Sequence, residues 1–354
     1  MIQQCKSFIG ILSLILLLSC SSKDKEHDLI VDFNGLYGQI EIGGKYVGIE
    51  FHKSRPLPSR ISFYYPVANS IDLSTDYWQR DQSLPLNLIL KSNSGMDTLG
   101  LNPLPYRYTP YRIQFDEKKD DLKISYSYDV CDDLPLLVLR IALKNMSIQS
   151  QTISLLSQFD MRIRTSHSYQ WIDSDSIRFN NKRTTAIADF ERQDADSTAI
   201  FIANSGLLPE DGFLEYENMQ ENPRVNFAYQ YQIDAGEEIE IIQLIGSCRI
   251  RETENMINQS MRSWKESIIK NRDRVLNYTF DQDFFYIDDP ALQQTVYWSK
   301  AILASNIHYI DHSFLPMPCP AEYNFFFTII EFLNSNGVNV LRNAHWFCKW
   351  SFAI

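Results

Sequence analysis

From residue 30 to about residue 250 the apolar side chains recur at every second position, and that period decides what the chain can fold into. Gln39-Ile40-Glu41-Ile42 alternates, Gly43-Gly44 interrupts, and Val47, Ile49 and Phe51 then alternate with polar partners. Such a pattern predicts a hairpin, with the paired glycines supplying the positive φ of a tight turn. Ile61, Phe63 and Tyr65 repeat it, as do Leu122, Ile124, Tyr126 and Tyr128, and then Leu137, Leu139, Ile141 and Leu143. Val225, Phe227, Tyr229, Tyr231 and Ile233 form a further strand that turns at Ala235-Gly236 into Ile239 and Ile241. No strand alternates with a helix of 10–15 residues, which excludes a parallel α/β sheet. The expected fold class is mainly β, a large antiparallel β-supersandwich over residues 30–250. Aromatic residues at 13%, with 19 Tyr and 21 Phe, suit β-rich packing, and they also suit contact with carbohydrate.

Beyond residue 250 the period changes to that of a helix. Ile257, Met261, Trp264 and Ile268 fall on one face of a helix expected from Thr253 to Leu276, with Arg262, Lys265, Glu266, Lys270 and Arg272 opposite. Residues 251–289 therefore read as a linker helix and a spacer, the latter from Asn277 to Asp288. Asp289 is placed to cap a second helix, and Pro290 sits at its first position, where the missing N–H costs nothing. Leu292, Val296, Ser299 and Leu303 share one face of that helix, Ala301 and Ala304 beside them allow close helix packing, and the run ends near Asn306. Pro316, Pro318 and Pro320 then hold the chain extended. Residues 329–354 show no clear period, and His345 to Trp350 is a dense aromatic cluster.

The first 19 residues have the layout of a processing signal. Lys6 is the positive flank and Phe8–Leu18 is an apolar run of 11 residues, too short to span a bilayer. Leu17-Leu18-Ser19-Cys20 resembles the lipobox of bacterial lipoproteins, which implies cleavage before Cys20 and a lipid on its thiol. Residues 20–29 then form a polar tether like the charged export tags of surface lipoproteins in Bacteroidota-type bacteria. The expectation is a cell-envelope lipoprotein, at the outer membrane, facing the periplasm or the cell surface. A formal net charge of −11 argues against a nucleic-acid partner. Cys131, Cys248, Cys319 and Cys348 are too widely and irregularly spaced for a zinc site or a disulfide framework and are expected as buried thiols. His52, His167, His308 and His312 show no metal spacing, and no phosphate-binding glycine loop or nucleophile elbow occurs. No cofactor is expected.

One stretch carries a family resemblance. Tyr297-Trp298-Ser299-Lys300-Ala301 leads to Pro318-Cys-Pro-Ala-Glu-Tyr-Asn-Phe-Phe-Phe-Thr328. Together with a strand-rich N-terminal half and a linker helix, this resembles a glycoside hydrolase of the six-hairpin type, close to bacterial amylo-α-1,6-glucosidase or glycogen-debranching-like proteins. The specific part of the resemblance covers residues 291–328. It implies a β-supersandwich followed by an (α/α)6 catalytic barrel that begins near residue 290, with α-glucan-like oligosaccharides as substrates. It also implies a His-Asp pair after Thr328, where this chain has Ile329-Ile330. Glycoside hydrolysis uses two carboxylates flanking the scissile bond. A barrel of twelve helices needs roughly 200 residues or more, whereas residues 290–354 number 65. The expectation is therefore a barrel that starts at 290–328 and is incomplete, an aberrant tail at 329–354, and negligible hydrolysis. The alternative function is a surface lipoprotein that binds glycan without cleaving it.

Candidate sugar-contacting residues follow from the same resemblance. Glu322 is the carboxylate inside the motif, to bind a sugar hydroxyl or else to cap a helix. Tyr323, Asn324 and Phe326 would line a sugar site, with core packing as the other reading of the phenylalanines, and Trp298 belongs to the motif's helical approach. In the sandwich, Trp78 and Arg80 lie in Asp76-Tyr-Trp-Gln-Arg-Asp81, a loop suited to sugar contact or to a buried Trp beside a structural ion pair. Trp171-Ile-Asp173-Ser-Asp175 spaces carboxylates as a calcium loop does but lacks the remainder of one, and reads as an exposed turn.

Overall fold

The computed structural model describes residues 26–34, 38–66, 68–71, 84–92, 95–165, 168–172, 174–180, 184–191, 197–205, 214–219, 222–281, 287–310 and 313–316. Three antiparallel sheets build most of it. The largest has nine strands in the order Val31–Phe33, Tyr106–Thr109, Arg112–Lys119, Leu122–Val130, Leu136–Asn145, Glu238–Arg249, Thr198–Asn204, Thr185–Phe190 and Ser176–Phe179. A five-stranded sheet orders Leu214–Met219, Asn222–Ile233, Gln151–Asp160, Leu86–Ser92 and Gly95–Leu99. A six-stranded sheet orders Ser168–Ile172, Ile163–Thr165, Asn69–Ile71, Arg60–Phe63, Val47–His52 and Gln39–Gly43.

One continuous core joins the three sheets. Phe51 and Phe63 from the six-stranded sheet, Leu88, Phe159 and Phe227 from the five-stranded sheet, and Phe115, Tyr126, Tyr128 and Ile141 from the large sheet all lie within it. The alternating residues thus face inward, as the period-two pattern requires. This is the mainly β, antiparallel supersandwich that the pattern predicts.

The large sheet has a second buried face. Leu136 and Val138 point away from the main core and join Phe201, Leu244 and Cys248 under a helix, α1, at Thr253–Phe280. That explains why Leu136-Leu137-Val138-Leu139 is apolar without alternation: both faces of the strand are covered there. Trp264 and Ile268 of α1 fill this second core, 7% and 9% exposed, and each burial stabilises the contact by about 2–3 kcal/mol. A further helix, α2, at Pro290–Ser305 packs on the end of α1 through Ala301 and Ala304, with Leu29, Tyr111 and Val275. Asp289 caps α2 as expected, accepting from the N–H groups of Ala291 and Leu292 at 2.9 and 3.3 Å. Strands Ile307–Ile310 and Ser313–Pro316 then pair as a hairpin.

Three expectations are corrected. The hairpin at Gly43-Gly44 turns through Gly44–Tyr46, closed by the Gly44 N–H donating to the Val47 carbonyl at 2.9 Å, and its glycines do not have positive φ. What requires glycine at 44 is space, because a Cβ there would lie 2.9 Å from the Cys131 carbonyl oxygen. The linker helix α1 runs to Phe280 rather than Leu276, since Tyr278 and Phe280 pack toward Tyr297 of α2. Met261 is 37% exposed rather than on the buried face, where Ser260, Ser267, Asn271, Val275 and Thr279 lie with Trp264 and Ile268. On α2 the buried residues are Gln293, Lys300, Ala301, Ala304 and Ser305, whereas Leu292 is 55% exposed. The small alanines let the two helix backbones approach closely, as expected.

Candidate functional site at the junction of sandwich and helices

The described functional groups converge where the sandwich, α1, α2 and the final hairpin meet. The turn Gly44–Tyr46 and the loop from Cys131 to Pro135 come from the sandwich. Asp132 is the hub. Its Oδ2 accepts from Lys45 Nζ at 2.7 Å, and its Oδ1 accepts from Arg274 Nε of α1 at 2.8 Å. Arg274 also donates to the carbonyl of Ala304 at 2.6 Å, at the end of α2, and to Asn271 Oδ1 at 2.7 Å. Asn271 Nδ2 in turn donates to the Gly43 carbonyl at 3.5 Å. One guanidinium therefore ties together a sandwich loop, the linker helix and the C-terminus of α2, a use that its fixed fork of donors suits. Beside it, Ser267 Oγ accepts from the N–H groups of Asp132 and Asp133 and donates to the Asp133 carboxylate, which also takes Lys270 Nζ at 2.8 Å.

His308 anchors the hairpin that follows α2. It is fully buried, its Nδ1–H donates to the Gly44 carbonyl at 2.7 Å, and its ring stacks on Tyr64 with centroids 4.0 Å apart. Burial depresses its pKa from 6.5 to about 3, so the imidazole is neutral at physiological pH. Tyr309 N–H donates to the Lys45 carbonyl at 2.7 Å, which binds the same hairpin to the same turn.

An aromatic row runs outward from this lock. Tyr65 and Tyr46 lie with ring centroids 6.4 Å apart, Tyr46 and Tyr309 5.7 Å, and Tyr309 and Phe314 5.1 Å. The tyrosines are half-buried and Phe314 is 38% exposed. At the sandwich end the Tyr65 hydroxyl donates to Glu252 Oε2 at 2.6 Å and accepts from Arg249 at 2.9 Å, while Arg249 also pairs with Glu252 at 3.4 Å. Burial, reinforced by the hydrogen bond to Glu252, pushes the Tyr65 hydroxyl up to about 12, so it remains a neutral donor. Such an arrangement sets partly exposed rings beside hydrogen-bonding groups of both kinds.

A second polar cluster lies on the six-stranded sheet. Glu50 is fully buried, and its Oε1 accepts from Ser59 Oγ at 2.8 Å and lies 3.0 Å from His52 Nε2. Arg60, paired across the strands with Glu50, is 2% exposed. In the large sheet Asp129, fully buried, bridges Arg112 and Arg140. Among the described residues no group of three or more His, Cys, Asp or Glu side chains is placed to hold a metal ion.

Of the candidate residues named from the sequence, Trp298 is described. It stacks on Tyr108 of the large sheet, with centroids 5.9 Å apart and planes 17° from parallel, and so helps to seat α2 on the sandwich. Trp78, Arg80, Glu322, Tyr323, Asn324, Phe326 and the lipidation residue Cys20 lie outside the described residues. Sequence reasoning missed Asp132, Arg274, Lys45 and the aromatic row. Asp132-Asp133 before Leu134-Pro135, and Arg274 among the many charges of α1, carry no local pattern that singles them out. The signal available was Ser267 and Asn271, polar residues at i and i+4 on the apolar face of α1, which mark a face docked on polar loops.

Cys131 and Cys248 are buried free thiols, as expected, and Cys319 and Cys348 lie outside the described residues.

The fold defines the class: a large antiparallel supersandwich with a linker helix laid on its outer face and a second helix after it. No protein-family model matches the sequence, and no curated protein matches it. Among solved structures, the chain is similar to a protein from the human microbiome described as a kojibiose phosphorylase. The TM-score is 0.55 at 12% identity, over 80% of this chain and 42% of that one. This chain thus spans less than half of that protein's length. A galactose mutarotase-like protein from Lactobacillus casei overlaps more loosely, with a TM-score of 0.41 at 9% identity, over 59% of this chain and all of that one. The first of these likenesses establishes a shared fold.

Proposed function

We propose that this chain is the sandwich-bearing part of a carbohydrate-active protein of the glycoside hydrolase or phosphorylase kind, acting on α-glucan-like oligosaccharides. The observation that carries the reading is the fold shared over 80% of this chain with the protein described as a kojibiose phosphorylase. The motif at residues 318–328, read from the sequence, supports the same class. On this reading the junction built by Asp132, Arg274 and His308 positions the chain that follows α2 against the sandwich. The test is to incubate the purified protein with kojibiose, maltose and maltooligosaccharides, with and without inorganic phosphate. Release of glucose 1-phosphate only with phosphate identifies phosphorolysis, and release of free glucose identifies hydrolysis. Loss of turnover on Glu322→Gln would assign that carboxylate a part in the chemistry.

A second reading, a glycan-binding protein without turnover, is favoured by the half-exposed aromatic row, which runs from the sandwich to the hairpin after α2. Retardation in a glucan-containing native gel without product release would select it; neither binding nor release would remove both readings. We further propose attachment to the cell envelope through a lipid on Cys20, supported by the lipobox-like Leu17–Cys20. Incorporation of labelled palmitate that Cys20→Ser abolishes is the expected result.

A further inference from the structure

We infer that the row Tyr65–Tyr46–Tyr309–Phe314, with Arg249 and Glu252 at its sandwich end, is a contact surface for a neutral sugar chain several units long. The inference rests on the carbohydrate reading above and deepens it by naming where the chain lies and what charge it carries.

Three observations converge on this row. First, its centroid steps of 6.4, 5.7 and 5.1 Å place four rings in unbroken succession from the sandwich to the hairpin. A single sugar covers one ring, so a surface this long is matched by an oligosaccharide. Second, the rings are held before any ligand arrives. Tyr46 meets both Tyr65 and Tyr309 edge to face, at 76° and 80°, and Tyr309 is tied to Lys45 through its backbone N–H. Preordered rings lose little conformational freedom on binding, and an apolar face with a polar tip suits a ligand of C–H faces and hydroxyl edges. Third, the flanking charges are matched. Arg249 is paired with Glu252 and both are bonded to the Tyr65 hydroxyl. Their donors and acceptors suit hydroxyl groups, while a sulfated or uronic chain would meet Glu252 beside Arg249 in a protein of net charge −11. These facts select a neutral glycan over an anionic one.

The test uses the full chain in native gels containing soluble dextran or maltodextrin, with heparin as the anionic comparison. The wild-type protein should be retarded by a neutral glucan and not by heparin, and more strongly by long maltooligosaccharides than by maltose in competition. Phe314→Ala and Tyr309→Ala should weaken retardation about tenfold each while the melting temperature stays near wild type. In the wild-type protein, nitration of the row tyrosines should be slowed by dextran, a readout that needs no variant to fold. If the wild type is retarded but both variants bind equally well and nitration is unchanged, the row is internal packing and this inference fails while the carbohydrate reading stands. If no neutral glucan retards the wild type, this inference fails, and the carbohydrate reading falls with it when no sugar product is released either. Retardation by heparin alone would overturn the assignment of a neutral chain.

Discussion

Asp132→Asn probes the junction most directly. The Asp132 side chain is 9% exposed and accepts from Lys45 and Arg274, which are 27% and 20% exposed. An amide keeps the shape but replaces one accepting oxygen with an NH2 donor. That donor must then face either the Lys45 ammonium or the Arg274 guanidinium, and both cations lose their counter-charge. Removing one partner of a fully buried ion pair costs about 3–5 kcal/mol. Some solvent reaches both cations here, so about 2–3 kcal/mol is the reasoned figure. For a chain of this size that corresponds to a fall in Tm of roughly 3–4 °C. The assay is thermal and urea unfolding followed by circular dichroism, combined with a double-mutant cycle to Arg274→Met. The cycle should return a coupling of at least about 1 kcal/mol. Because Arg274 also holds Ala304, limited proteolysis should cut between α1 and α2 faster in Asp132→Asn than in wild type. A variant within about 0.5 kcal/mol of wild type, with no coupling to Arg274, would refute the hub.

Three further outcomes are expected. His308 has a folded pKa near 3 against 6.5 in the unfolded chain, so below pH 6.5 only the unfolded state takes up its proton. Wild-type stability should therefore drop by about 2 kcal/mol from this group between pH 7 and pH 5, and urea unfolding of His308→Gln at the two pH values should lack that loss. Burial pushes the Cys248 thiol up to about 12 and raises the Cys131 thiol as well; with Cys5, Cys20, Cys319 and Cys348 changed to serine, a thiol reagent should label neither until denaturant is added. Gly246 faces Phe201 across the sheet so closely that a Cβ would lie 2.2 Å from the ring; Gly246→Ala should cost about 1–3 kcal/mol in chemical denaturation, and Phe201→Leu in the same chain should recover part of it.

The sandwich was legible along the chain because burial in a sheet writes itself as alternation. Leu122–Tyr128 and Val225–Ile233 read correctly for that reason, and both strands exist with those residues inward. Gly236 was also legible, since its turn does use a positive φ of 73°. Gly44 was not: its need for glycine comes from the Cys131 carbonyl, 87 residues away in the chain, rather than from the turn itself.

What the sequence by itself determined is therefore local and periodic: the alternating strands, the existence of two helices and the Asp289 cap. Which face of each helix is buried was decided by tertiary structure. On α1 the docked loops take Ser267 and Asn271 into the buried face and leave Met261 37% exposed, while the close packing at Ala301 and Ala304 of α2 was legible from their size. The junction and the aromatic row belong to the same class. Lys45, Asp132 and Arg274, or Tyr65, Tyr46, Tyr309 and Phe314, are ordinary surface residues when read singly. They acquire chemistry only when chain folding brings segments hundreds of residues apart within hydrogen-bonding or ring-stacking distance, and no local pattern encodes that proximity.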